Sequence, residues 1–330
     1  MRIPIAMAKL SICAALVMLA GCGASQAPLT PAGASAARAI REVSAPESAE
    51  NGLYVSAYDG SVVYGYPYDN RHGKPPICEV TGVQYVDSVG VDMRGNLIVP
   101  DAAAGRMIHV FQGPGMCGKS VGAVQDPYGA PVDVASADAA NGTIVVANEF
   151  DSTSGSSPGS VSLCTLKAGC TTNLTNPKIE EVVGVALAKN GDCWASAFDN
   201  QEKAILVYFR GCSGSGRLAV GFQNQTPGGL DIDNGGRLVS LSAWDTPGLW
   251  VYKGCNPKCV TIGGAFPLRG LALYGHVNEA ATRFAVTDDF DLMIDVYSYS
   301  PKNVTYLYSF GNISPSSELG GGAYNPRSKE

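Results

Sequence analysis

NGLYVSAYDGSVVYGYPYD, residues 51–69, holds two short apolar runs joined by an acidic turn. Alternating aromatic and β-branched residues around Asp and Gly read as two antiparallel strands. Five later stretches carry the same pair of runs, but each has a further strand in front. They are SVGVDMRGNLIVPD from Ser88, PVDVASADAANGTIVVANEFD from Pro131, GVALAKNGDCWASAFD from Gly184, GLDIDNGGRLVSLSAWD from Gly229 and the looser GLALYGHVNEAATRFAVTDD from Gly270. Each continues into a third strand: MIHVF (107–111), SVSLC (160–164), ILVYF (205–209), GLWVY (248–252) and MIDVYSY (293–299). A weaker fourth strand follows in most copies, such as CVTIGGA (259–265). The first copy therefore lacks its opening strand.

The other end of the chain supplies it. GGGAYNPRSKE begins at Gly320, and Gly321–Pro326 fits an inner strand and its turn. One such unit cannot bury both of its faces, so units must stack on one another. An open stack would leave two unpaired edges. The repeat of roughly 40–50 residues is the size of one four-stranded propeller blade. The expectation is an all-β, six-bladed β-propeller, closed by pairing of the C-terminal strand with the first blade. No stretch after the N-terminal segment holds a helical period.

The N-terminus reads differently. Arg2 and Lys9 precede the apolar run Leu10–Ala20, too short and too small in its side chains for a spanning helix. It ends in Leu19-Ala20-Gly21-Cys22, which resembles the lipobox of bacterial lipoproteins at all four positions. That resemblance implies a signal peptide over 1–21 and a diacylglyceryl, palmitate-type lipid on Cys22. It implies anchoring to the cell-envelope membrane, with Gly23 resembling the outer-membrane sorting pattern of Gram-negative cells. Residues 22–50 are rich in Ala, Pro and Ser and read as a disordered tether. The propeller is expected over 51–330.

Charged residues are 16% of the chain against a usual quarter, and the net charge is −6. With no basic stripe, nucleic acid is not an expected partner. Ten cysteines occur. Apart from Cys13 and Cys22, eight remain, an even number that suits disulfides in an exported chain, and no zinc-type spacing appears. Cys164 and Cys170 flank a turn between third and fourth strands, as do Cys255 and Cys259. Cys193 and Cys212 are spaced to face each other across a hairpin ladder centred near residues 200–202. Elimination pairs Cys78 with Cys117.

The repeats resemble the NHL and gluconolactonase-like propellers, with GVDMRGNLIVPD and GLDIDNGGRLVSLSAWD nearest their blade signature. In the gluconolactonase-like enzymes this layout implies a divalent metal in the central channel, held by Glu and Asn, with an Asp as acid or base. The chain departs from that family: it lacks the early Glu-Gly-Pro element and the Asn-Gly…Trp-Ser…Asp element. Two acidic sets are candidates. Asp59, Asp101, Asp151, Asp199, Asp245 and Asp288 each follow a second strand and would share one face, where they could hold Ca²⁺ or another divalent cation, or hydrogen-bond a sugar. Asp at a strand end also caps a turn by accepting from backbone N–H groups, its commoner role. Asp92, Asp133, Asp231 and Asp233 lie on or just after first strands and would line the channel. His109 reads as a strand residue, and His72 and His276 as loop residues. No nucleophile elbow or phosphate loop is present. The expected function is a membrane-anchored binding or scaffold module for a protein or carbohydrate ligand, with no catalytic residue and no cofactor expected. The alternative is a divalent-metal lactonase or hydrolase with its site in the channel.

Overall fold

The computed structural model describes residues 52–324 apart from 58–60, 104, 114–116, 152–157, 244–246, 271, 279, 289–290 and 312–318. The signal, the tether and Cys22 lie outside the described residues, as do Asp59 and Asp245. Six sheets form six blades, each strand antiparallel to its neighbour. From the axis outward, blade 1 is β25 (Leu319–Tyr324), β1 (Gly52–Ala57), β2 (Val62–Pro67) and β3 (Cys78–Thr81). Blade 2 is β4 (Gly90–Val91), β5 (Leu97–Asp101), β6 (Met107–Phe111) and β7 (Ser120–Gln125). Blade 3 is β8 (Gly129–Ser136), β9 (Ile144–Asp151), β10 (Ser160–Thr165) and β11 (Gly169–Leu174). Blade 4 is β12 (Glu181–Leu187), β13 (Cys193–Phe198), β14 (Ala204–Phe209) and β15 (Arg217–Leu218). Blade 5 is β16 (Leu230–Ile232), β17 (Leu238–Ser242), β18 (Gly248–Lys253) and β19 (Val260–Thr261), with β20 (Phe266–Pro267) also on β18. Blade 6 is β21 (Ala272–Val277), β22 (Arg283–Asp288), β23 (Met293–Ser300) and β24 (Asn303–Gly311).

Closure follows the expected route. Leu53, Tyr54 and Val55 of β1 pair with Tyr324, Ala323 and Gly322 of β25. The strand begins at Leu319, two residues before the glycine run suggested. Its glycines answer crowding at the axis: a Cβ on Gly320 would sit 2.3 Å from the Asp87 carbonyl, and one on Gly321 2.8 Å from Tyr274 Cβ. Ser56 of β1 locks the junction, its Oγ accepting from the Gly321 N–H at 2.7 Å.

Alternation explains why no blade stands alone. Leu53 and Val55 pack against Ala285, Ile294 and Phe310 of blade 6, while Tyr54 faces Leu97, Val99 and Phe111 of blade 2. Every one of the six core clusters spans two neighbouring blades. Full burial of one such side chain contributes about 1.5–3 kcal/mol, and here that gain exists only between blades.

The four disulfides are Cys78–Cys117, Cys164–Cys170, Cys193–Cys212 and Cys255–Cys259. Cys78–Cys117 ties blade 1 to blade 2. One detail differs from the ladder expectation: Cys193 sits opposite Phe209, and Cys212 lies beyond the strand in a 3₁₀ turn, Arg210–Cys212. The chain turns back there to start the outer strand, so the bond anchors a loop rather than a ladder rung.

Candidate functional site

In a four-stranded meander, connections leave alternately from opposite ends. Links from second to third strands, and between blades, share one face of the ring. Links from first to second and third to fourth strands share the other. The two ends of the axis therefore draw on different residues.

The first end carries the acidic turns singled out above. Asp199 Oδ1 accepts from the N–H groups of Gln201 at 2.8 Å and Lys203 at 3.0 Å. Asp101 accepts from Gln84 N at 2.9 Å and Ala103 N at 3.0 Å, with His109 Nε2 3.8 Å away. Asp288 accepts from Asp291 N at 3.3 Å, and Asp151 closes β9. Asp101, Asp199 and Asp288 are thus bound within or beside their own turns.

A different set meets at that end of the channel. Asp87 precedes β4, Glu149 lies near the end of β9, Glu181 starts β12, and buried Tyr274 of β21 lies within electrostatic reach of all of them and of Asp133. Burial and the neighbouring Asp133 charge push Asp87 up to about 7. Burial, then Asp87 and Glu181, push Glu149 up to about 8. Burial raises Asp133 to about 6 even though the His276 charge opposes the shift, and burial raises Glu181. Low dielectric and like charge both disfavour ionisation, so these groups hold protons that exposed carboxyls release. Glu149 stands one residue before the aromatic-Asp pair of NEFD; nothing in its local pattern marks it as axial.

Deeper residues act as staples between blades. Asp133 Oδ2 accepts from Val185 N of blade 4 at 2.9 Å. Asp231 Oδ2 accepts from Val277 N of blade 6 at 2.8 Å, and Asp92 Oδ2 accepts from Ala139 N of blade 3 at 2.6 Å. Asp92 Oδ1 also caps its own turn through Arg94 N and Asn96 N. Asp233 does the same through Gly235 N and Arg237 N, and takes the Arg237 guanidinium at 2.7 Å and the Tyr299 hydroxyl at 2.9 Å. Asp133 Oδ1 is buried, and the Ser88 hydroxyl acts on this carboxyl. Among the described residues, one trio of His, Cys, Asp or Glu ligand atoms lies within 4.8 Å of one another: Asp126, Cys164 and Cys170. Those two sulfurs are bonded to each other, so the trio offers no thiolate.

The second end opens into a basin of about 460 Å³ to which all six blades contribute. Val91, Ser136, Lys189, Asn234, His276 and Tyr324 represent the blades in turn. His276 is a strand residue of β21, not a loop residue as its YGHVN context suggested. Burial alone would lower its pKa; the bond and charge of Asp231, 3.6 Å away, outweigh this and raise it. Trp194 forms part of the wall, its Nε1 donating to the Cys255 carbonyl at 2.7 Å. Asn190, Asp192 and Asn256 also line an adjoining cavity of about 830 Å³ between the rims of blades 4 and 5. Basin and cavity adjoin at these three residues, together making the groove of this face.

No protein-family model matches the chain, and no curated protein sequence matches it. Solved structures share its fold. A chain of a nidogen/laminin complex superposes with a TM-score of 0.61 at 11% identity, over 83% of this chain and 98% of that one. The periplasmic gluconolactonase PpgL of Pseudomonas aeruginosa gives 0.55 at 14% identity, over 83% and 99%. A protein of unknown function from Bacteroides caccae gives 0.58 at 9%, over 84% and 99%. At such identities the likeness is one of fold.

Proposed function

We propose that this chain is a lipid-anchored, extracytoplasmic binding propeller that seats its ligand in the basin and groove at the His276 end. One observation carries this reading: all six blades line one open hollow of mixed polar and apolar character, while the inner-strand carboxylates are committed to blade staples and turns. Rigid blades presenting variable turns suit recognition. The nidogen/laminin neighbour is consistent with a protein ligand, and the lipobox at Cys22 supports the anchor.

A metal-dependent lactonase is the second reading. It is favoured by the gluconolactonase neighbour and by the half-buried carboxyls that gather with buried Asp133 around Tyr274. Thermal unfolding with EDTA and with added Ca²⁺ separates the two. A site filled a thousandfold above its dissociation constant stabilises by about 4 kcal/mol, which is several degrees in midpoint. The binding reading expects no such shift; a clear Ca²⁺-dependent rise together with gluconolactone hydrolysis would replace it. For the anchor, Cys22→Ser is expected to move the protein from the membrane to the soluble fraction.

A further inference from the structure

The outer arm of the groove has its own chemistry. It is lined by the loop Arg210–Arg217, apart from Cys212, which runs from the end of β14 to the first residue of β15. Three attachments hold this loop in place. Cys212 is bonded to Cys193, Gly211 N donates to Asp192 Oδ1 at 2.7 Å, and Asn176 Nδ2 donates to the Ser215 carbonyl at 2.7 Å. Gly216 adopts φ +66°, and a Cβ there would sit 2.6 Å from Val207, so the loop lies flat against the strand beneath it.

Two guanidinium groups line this cavity, Arg210 and Arg217, and both act electrostatically on the Tyr208 hydroxyl at its floor. Among the described residues neither is in a close ion pair, although the Arg210 charge acts on Asp192; Arg71, Arg94 and Arg237 by contrast hold carboxylates directly. Arg269 and Arg283 lie over tyrosine rings. The one carboxylate in the cavity is already saturated: Asp192 Oδ1 takes Gly211 N, and Oδ2 takes the Tyr208 hydroxyl at 3.0 Å and Asn190 Nδ2 at 2.9 Å. In a chain of net charge −6, two exposed arginines line this cavity together with Asn256, and Lys189 lines the adjoining basin.

We propose that this arm is an anion subsite, in which Arg210 and Arg217 grip a phosphate or sulfate group carried by the ligand of the groove. The proposal rests on the groove being a ligand site and adds the chemical class of one end of that ligand. A guanidinium fork matches tetrahedral oxyanions through paired N–H bonds. A loop already held by a disulfide and two side-chain bonds loses little freedom on binding.

The test uses the full chain from residue 22 carrying Cys22→Ser, so that no lipid holds it to a membrane. Calorimetric titration with inorganic phosphate and with sulfate is expected to saturate in the millimolar range. Arg210→Gln with Arg217→Gln should weaken it more than tenfold while leaving the melting temperature unchanged. Co-sedimentation with phosphatidylglycerol vesicles then identifies the source. Capture that disappears in the double variant assigns a lipid headgroup; phosphate binding without capture assigns a soluble or saccharide-borne anion. No saturation by either ion, or equal binding by the double variant, overturns the subsite. Because the Ca²⁺ and EDTA experiment does not depend on these arginines, the subsite can fail while the binding reading stands.

Discussion

At one end of the axis, Asp87, Glu149 and Glu181 crowd above Asp133 and Tyr274. At the other, His276 and Asp231 floor a basin that runs outward to Arg210 and Arg217. The same six inner strands build both ends. The difference lies in which connections reach each one. Links between blades and the ends of second strands bring carboxyls together, and burial keeps protons on them. The tight first-to-second-strand turns leave an open hollow, because their own acids are consumed as caps. A repeated acidic residue need not mark a ligand site: Asp199, Asp92 and Asp233 serve as acceptors for turns and blade contacts.

Removing the wall that both ends share gives the largest effect. A chain ending before Leu319 loses β25, the inner strand of blade 1, with buried Leu319, Ala323 and Tyr324. Loss of a cooperative thermal transition is expected; a normal melting curve would contradict circular closure.

Next comes pH, which acts on the acidic end. Asp87, Asp133 and Glu149 have folded values of about 7, 6 and 8 against unfolded values near 4. Each is more easily protonated folded than unfolded, so their contribution to stability is full below about pH 4 and is lost as pH rises through 6 to 8. His276, also raised, contributes below its unfolded value of about 6.5 and loses that contribution as pH rises through its folded value. Glu181 runs the same way. Asp69, Asp192 and Asp199 are lowered instead, so their contribution is present above an unfolded value near 4 and is lost only as pH falls below it. Melting temperature should therefore be higher at pH 5 than at pH 8.5. Asp87→Asn with Glu149→Gln should raise it at pH 8.5 and flatten the slope. A flat wild-type profile would show these carboxyls to be well solvated.

A smaller change isolates the groove. Cys193→Ser with Cys212→Ser opens a bond of sequence separation 19, worth about 3 kcal/mol in the chain-entropy model. Hydrogen exchange is expected to quicken at residues 211–217 while the pH slope of the acidic end stays as it was. Smallest of all is the stability effect of Arg210→Gln or Arg217→Gln, within about 0.5 kcal/mol in urea denaturation, because both residues are exposed and neither is in a close ion pair among the described residues. A loss well beyond that would make them structural.

Much of the fold was legible from local pattern. Period-two strands, the blade-sized repeat, the truncated first copy and the glycine-rich tail together determine six blades and their closure, because a hairpin unit with two apolar faces has to find neighbours on both sides. Spacing also determined the two short disulfide loops. Tertiary structure alone decided the site. Asp87, Glu149 and Glu181 are far apart in the chain and meet only because the ring brings blades 2, 3 and 4 to one axis. His276 finds Asp231 from a neighbouring blade, and the hollow opens on the face opposite the recurrent Asp turns. Burial, charge and cavity shape at an axis are sums over all six blades, and no single stretch of sequence contains such a sum.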